Sequence, residues 1–377
     1  MKYYLIAGEA SGDLHGSNLI KEIKKEDPDA DIRCWGGDLM SEAGATLVKH
    51  YRDLAFMGFV EVIKNLPTIL RNIRFCKQDI EAWQPDVLVL IDYPGFNLRI
   101  AEWAHAKRFK VVYYISPQVW AWKENRVKKM KQCIDKMLCI LPFEKDYYKN
   151  KWNWDVEYVG HPLVEVVGKK LTDGSKQLTE DKTASQTSKI IALLPGSRKQ
   201  EIAKKLPIML SVAAHFPAYT FVVAKAPGLE DDFYTPFLNT SNNITSVRNQ
   251  TYDLLLKSTA ALVTSGTATL ETALFGVPEV VCYKGNNLSY QIAKRLINIK
   301  YISLVNLIMD KEVVKELIQD ELTKDNLVKE LRLILDNDDH RKKIIDDYRS
   351  LKNILSEGGN ASVQSARHII KVASQIN

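Results

Sequence analysis

The 377-residue chain has no apolar run long enough to cross a bilayer. Its longest aliphatic stretches, VLVLI at 87–91 and IIALL at 190–194, fall far short of the roughly 20 residues that a spanning helix needs. Nor does it open on a basic lead with a small-residue cleavage site. The apolar, strand-like YYLIAG follows almost at once, so no secretory signal is expected and the protein is expected in the cytoplasm. Cysteines number five, Cys34, Cys76, Cys133, Cys139 and Cys282, and none forms a CxxC pair. Neither a disulfide framework nor a zinc site is suggested. The dinucleotide fingerprint GxGxxG is missing as well. The Asp-x-Asp spacings of DPDAD at 27–31, beside the helix-breaking Pro28, read as a turn. No metal and no cofactor are therefore expected.

What is present is an ordinary globular composition, 46% hydrophobic and 26% charged, in a chain long enough for two cores. The formal charge of +6 is unevenly placed. Residues 99–131 carry nine Lys or Arg against Glu102 and Glu124, a local excess that calls for an anionic partner.

Short β-branched or aromatic runs alternate with amphipathic stretches over the first 165 residues. Strands are expected at 2–7, 31–35, 87–91, 111–115, 136–141 and 156–159, and helices at 16–26, 67–83, 97–108 and 123–133. This is a βαβ pattern with a parallel sheet. The polar segment LTDGSKQLTEDKTASQTSK at 171–189 reads as a linker. The pattern then restarts, with strands at 190–194, 219–225, 244–247, 260–264 and 279–283 and helices at 203–216, 251–258 and from Thr267. The expectation is an α/β protein of two Rossmann-like doubly wound domains facing a central cleft, with C-terminal helices strapping back on the first domain. Its bounds are 1–168 for the first domain, 169–189 for the linker or insert, 190–355 for the second domain and 356–377 for the strap.

The candidate chemistry lies at strand ends. GEASGDLHG after the first strand supplies Gly8, Gly12 and Gly16, with Glu9, Ser11 and Asp13 beside them, before a helix. Such a turn lets backbone approach a ligand, or is merely tight. Asp92 ends VLVLI, where desolvation can raise a carboxyl into the range of a useful base; the alternative is a helix cap, for which Asn97 is better placed. Glu9 and Asp13 remain alternative bases. SPQVWAWKENR at 116–126 sets Trp120 and Trp122 beside the basic cluster, either to meet acyl chains and phosphates or to close the core. Segment 54–80 places Phe56, Phe59, Ile63 and further apolar residues in a stripe, with Arg71 and Arg74 on other faces. With Lys128 and Lys129 this suits an anionic membrane surface, although a core helix has the same period. In the second half, Gly196, Ser197 and Arg198 follow a strand, and Ser265, Gly266 and Thr267 open a helix carrying Glu271. Amides and a guanidinium there can hold a diphosphate, and Glu271 can accept from ribose hydroxyls.

Together AGEASGD (7–13), IDYPGFN (91–97), SPQVWAW (116–122), LPFEKDYY (141–148), VGHPL (159–163), LLPGSR (193–198), SGTATLE (265–271) and YISLVNLI (301–308) resemble the lipid-A-disaccharide synthases over nearly the whole chain. Departures are Gln118, Val305 in place of a proline before Asn306, and the long 171–189 insert. The resemblance implies the B-type glycosyltransferase fold (GT-B) and transfer of diacylglucosamine from UDP-2,3-diacylglucosamine to 2,3-diacylglucosamine 1-phosphate. The product is a β-1,6 linkage with release of UDP, as a step of lipid A and lipopolysaccharide synthesis. It also implies a role for Asn306 at the UDP-sugar site and peripheral attachment to the inner face of the inner membrane. Oligomeric state is left open, a homodimer included. Two competitors stand beside this reading. A B-type UDP-sugar epimerase or another UDP-GlcNAc-type transferase would share the nucleotide site, and a basic nucleic-acid-binding protein would explain residues 99–131 alone. The second leaves the glycine loops and Glu271 without a role, so no nucleic acid is expected as a partner.

Overall fold

A computed structural model describes residues 1–53, 66–180, 189–285 and 299–375. It divides into two compact units, Met1–Pro162 with Leu355–Asn377, and Leu163–Ile354.

The first unit holds strands β1 (Lys2–Ala7), β2 (Asp31–Gly36), β3 (Thr46–His50), β4 (Val87–Ile91), β5 (Val111–Tyr114), β6 (Lys136–Cys139) and β7 (Glu157–Tyr158). They form one parallel sheet in the order β3-β2-β1-β4-β5-β6-β7. Strands β4 and β5 are buried along their whole length. That is why VLVLI and VVYY show no alternation of apolar and polar residues: helices cover both faces. Sequence order reverses between β1 and β4, so their carboxyl ends make the switch point where doubly wound sheets bind ligands.

The second unit repeats the plan with β8 (Ile190–Leu194), β9 (Thr220–Lys225), β10 (Ile244–Arg248), β11 (Ala260–Thr264), β12 (Glu279–Tyr283) and β13 (Lys315–Ile318). The order is β10-β9-β8-β11-β12-β13, again parallel, with its switch point between β8 and β11.

Helix Ala361–Ala373 lies on helix Ala10–Glu26 of the first unit. Ala366, Ile369, Val372 and Ala373 join the core made by Leu19, Ile20, Ile23 and β1. The strap expected on the first domain is therefore observed. Its entry is pinned where Tyr158 Oη (3.0 Å) and the His161 amide (3.2 Å) both donate to the Leu355 carbonyl.

Three expectations need correction. Residues 171–180 are not a linker but the end of helix Pro162–Glu180, because Lys169, Lys170, Leu171, Lys176, Gln177 and Leu178 are good helix formers. Their preference outweighs the ~1 kcal/mol cost of Gly174; residues 181–188 lie outside the described set. The first helix starts at Ala10 rather than at residue 16. Gly12 and Gly16 sit inside it, because a Cβ there would come 3.0 Å from Ala7 Cβ and 2.7 Å from Met40 Sδ respectively. The glycines let a helix lie close on the sheet, and are not themselves the turn. Helix 203–216 runs instead over Lys199–Leu210, beginning directly after the glycine loop.

Candidate active site

At the first switch point, Asp92 and Tyr93 follow β4 with φ of 45° and 48°. Two successive non-glycine residues in left-handed backbone cost roughly 1–3 kcal/mol each and persist only where neighbours enforce them. Here Asn97 Nδ2 donates to the carbonyls of Asp92 (2.8 Å), Ile91 (3.2 Å) and Ile6 (3.3 Å), and Tyr113 Oη donates to the Asp92 carbonyl at 2.6 Å. Asn97 is thus no helix cap. It is fully buried inside helix Pro94–Ala106 and ties the ends of β1 and β4 together.

The fixed turn presents the Asp92 carboxyl. Burial, with the charge of Glu9 as a second cause, pushes its pKa up to about 6, and the Tyr93 amide partly opposes this. A carboxyl tuned to that range can accept a proton near neutral pH. Glu9 sits immediately before helix Ala10–Glu26. Asp13, the other alternative base, is occupied: its carboxylate accepts from the amides of Gly37 (2.7 Å), Met40 (3.0 Å) and Leu39 (3.2 Å). It anchors the loop after β2. Ser11 is exposed on the first turn of the helix.

The two tryptophans part company. Trp120 Nε1 donates to Glu144 Oε1 at 3.1 Å, and its ring meets Phe143 edge-on at 4.9 Å. Glu144 is fully buried and, pushed up to about 8 by burial, also accepts from the Leu141 amide at 3.1 Å. Trp120 is therefore held against the start of helix Pro142–Trp152. Trp122 is 52% exposed, with Lys123 Nζ 4.2 Å and Arg126 Cζ 6.0 Å from its ring centre.

Helix Leu66–Trp83 buries Ile73, Cys76 and Ile80. The same helix also leaves large apolar side chains exposed. Of the five large apolar side chains exposed among the described residues, Leu66, Leu70 and Phe75 belong to this helix, next to exposed Arg71 and Arg74. Phe56, Phe59 and Ile63 lie outside the described residues. Lys128 is exposed, and Lys129 pairs with Glu102 at 2.8 Å.

At the second switch point a cavity of about 310 Å³ brings together Gly196, Ser197, Ser265, Gly266, Thr267 and Glu271. Gly266 precedes helix Thr267–Leu274 at φ 136°, a conformation open only to glycine, and no side chain caps that helix. The first amides of such an uncapped helix can receive an anion. Glu271 is partly buried, which raises its pKa, and it accepts from Tyr252 Oη at 2.8 Å. Ser265 Oγ donates to the Ile302 carbonyl at 2.9 Å, so Ser265 offers backbone rather than hydroxyl.

Arg198 caps helix Lys199–Leu210 by position and reaches Glu201 at 3.5 Å. It is largely exposed and does not line the cavity. Asn306 must also be moved. It is fully buried: Nδ2 donates to the Val314 carbonyl and Glu316 Oε1 (2.9 Å each), and Oδ1 accepts from the amides of Val313 (2.8 Å) and Val314 (3.0 Å). No capacity remains for a ligand, so it is a structural clamp.

Sequence reasoning missed Tyr252 and Thr264. The hydroxyl of Thr264, buried in the cavity wall, has no hydrogen-bond partner among the described residues. Thr264 ends β11 in the cavity wall, whereas Tyr252 is not part of that wall and touches the site through Glu271.

The family model for lipid-A-disaccharide synthetase matches residues 3–370. The chain is 37% identical to the lipid-A-disaccharide synthase of Geobacter sulfurreducens over 360 residues, covering 94% of this chain and 93% of that one. With the Coxiella burnetii synthase (strain Dugway 5J108-111) the identity is 35% over 376 residues, 99% of this chain and 97% of the relative. Among solved structures, a Neisseria meningitidis UDP-GlcNAc 2-epimerase bound to UDP-GlcNAc superposes with TM-score 0.70 at 14% identity, covering 98% of this chain and all of that one. The glycotransferase of kitacinnamycin gives 0.66 at 12%, covering 99% of each. At these identities the structural matches speak to the shared two-domain fold alone. The chain belongs to the lipid-A-disaccharide synthase family of glycosyltransferases, whose substrates are a sugar nucleotide and a lipid.

Proposed function

We propose that the chain transfers diacylglucosamine from UDP-2,3-diacylglucosamine to the 6-hydroxyl of 2,3-diacylglucosamine 1-phosphate by a single displacement. Asp92 takes the hydroxyl proton as O6 attacks the anomeric carbon. The bond from that carbon to the diphosphate breaks, and UDP leaves with the electron pair. Inversion gives the β-1,6 linkage. The observation that carries this reading is the Asp92 carboxyl, held at the first switch point by an enforced backbone turn and raised to about 6 by burial. Charge on the departing diphosphate meets the amides from Ser265 to Thr267, and Arg198, next in sequence to the cavity residue Ser197, leaves Glu201 to join them. UDP release that depends on the acceptor tests the reading; release without acceptor, or interconversion of the donor alone, would move the chain toward the epimerases.

Arg198→Ala and Glu271→Ala are both expected to weaken UDP. The arginine should cost more, roughly 10–100-fold in Kd, because a charge-assisted contact to diphosphate exceeds a hydroxyl contact. Titration calorimetry reads both, and unchanged affinity in both variants would remove these residues from nucleotide recognition.

The acyl chains of both substrates partition into a bilayer, so the enzyme meets them at the interface. No helix among the described residues is long and apolar enough to span one. Exposed Leu66, Leu70 and Phe75 beside Arg71 and Arg74 support peripheral contact, with each basic residue near anionic lipid contributing about 1 kcal/mol. Flotation with anionic vesicles is expected to fall with salt. It should also fall on charge reversal at Arg71, Arg74, Lys128 and Lys129; equal binding by the reversed variant would make these surfaces merely solvated.

A further inference from the structure

A second cavity, about 360 Å³, opens in the first unit between helices Pro94–Ala106 and Val127–Cys133. Its wall includes Gly95, Arg99 and Glu102 of the first helix, Lys129 and Cys133 of the second, and Arg126 immediately before the second. Three cations thus share the cavity with a single carboxylate. Lys129 neutralises Glu102 at 2.8 Å, and neither Arg99 nor Arg126 forms an ion pair among the described residues. Glu124, the nearest acid in sequence to Arg126, is taken by Lys151 at 2.7 Å and Tyr147 Oη at 2.8 Å. Arg99 and Arg126 therefore line the cavity without an ionic partner among the described residues. A phosphomonoester carries roughly −1.5 to −2 near pH 7 and accepts in the planar, paired geometry that guanidinium offers. Gly95 leaves open space at this wall, where a side chain would meet nothing within 4 Å.

Position then decides which phosphate. The cavity begins at Pro94, two residues after Asp92, on the same enforced turn. In the proposed reaction Asp92 touches the 6-hydroxyl of the acceptor, and the 1-phosphate stands at the opposite end of that same sugar ring. The proposed reaction assigns the UDP diphosphate to the other cavity, in the second unit. We propose that Arg99 and Arg126, with Lys129 held by Glu102, bind the 1-phosphate of the acceptor and so select a phosphorylated over a dephosphorylated monosaccharide. This inference rests on the disaccharide-forming reading above. An anionic lipid headgroup offers the same phosphate chemistry, and the experiment separates the two.

The test compares kcat/KM for 2,3-diacylglucosamine 1-phosphate with that for its dephosphorylated counterpart, in neutral detergent micelles that hold no anionic headgroup. Arg99→Ala and Arg126→Ala are each expected to lower the preference for the phosphorylated acceptor by roughly 10–100-fold, chiefly through its KM, with the donor KM unchanged. Arg99→Lys should recover part of the preference, because the charge remains while the fork is lost. An unchanged preference in both alanine variants overturns the proposal, as does an equal loss for both acceptors. An effect seen only with anionic vesicles assigns the cluster to headgroups and also overturns it. Calorimetry with glucosamine 1-phosphate gives a readout that does not need turnover: wild-type binding lost in Arg99→Ala supports the site, and equal binding by both opposes it. Disaccharide formation by the parent enzyme with no change in the variants defeats this inference alone. Absence of disaccharide from the parent defeats the underlying reading.

Discussion

Asp92→Asn is expected to fold like the parent and to lose turnover by roughly 10²–10⁴-fold, the contribution of a positioned general base. Folding should survive because the strained turn is held through the main chain: Asn97 and Tyr113 both donate to the Asp92 carbonyl, not to its carboxylate. The amide is nearly isosteric but cannot take the proton. The same residue sets the acid limb of the pH profile. A base works only when ionised, so turnover should rise with pH and level off above the Asp92 pKa of about 6. Burial raises that value, and therefore the protonated, idle form persists to higher pH than for an ordinary carboxyl. Glu9 adds to the rise, so Glu9→Gln should shift the limb toward lower pH. Near wild-type turnover in purified Asp92→Asn would place the base elsewhere.

Asn306→Ala is expected to damage stability rather than nucleotide binding. It would strand the buried amides of Val313 and Val314 and remove a donor from the Glu316 carboxylate. That carboxylate also accepts from the Ser303 amide and hydroxyl (2.9 and 2.8 Å) and the Ile302 amide (2.9 Å). At roughly 1–3 kcal/mol for each stranded donor, the loss should reach about 2–4 kcal/mol. Denaturant unfolding measures it. A variant as stable as the parent but weak for UDP would return Asn306 to the nucleotide site.

The architecture was legible because buried parallel strands are continuous apolar runs, and VLVLI, VVYY, IIALL and AALVT stand out from their polar surroundings. Strands β3, TLVKH, and β13, KELI, were not legible. Both are short edge strands with no distinctive period, and tertiary pairing alone makes them strands. The candidate site divides along the same line. Residues at strand ends, such as Asp92, Gly196 and Thr267, could be placed because topology puts those ends at a switch point. Asp13, Asn97 and Asn306 carry the same polar chemistry, yet their side chains turn inward to backbone groups. A sequence motif does not reveal that direction. Gly12 and Gly16 taught the same lesson, since a glycine needed for close packing looks like one needed for a turn.

The central claim is disaccharide formation by direct displacement at Asp92. Its most direct measurement is incubation of the purified protein with UDP-2,3-diacylglucosamine and 2,3-diacylglucosamine 1-phosphate, followed by mass spectrometry and proton NMR of the product. A single disaccharide monophosphate with a β-anomeric 1,6 linkage is expected, with one UDP released for each. No disaccharide, or an α-linked product, would contradict it.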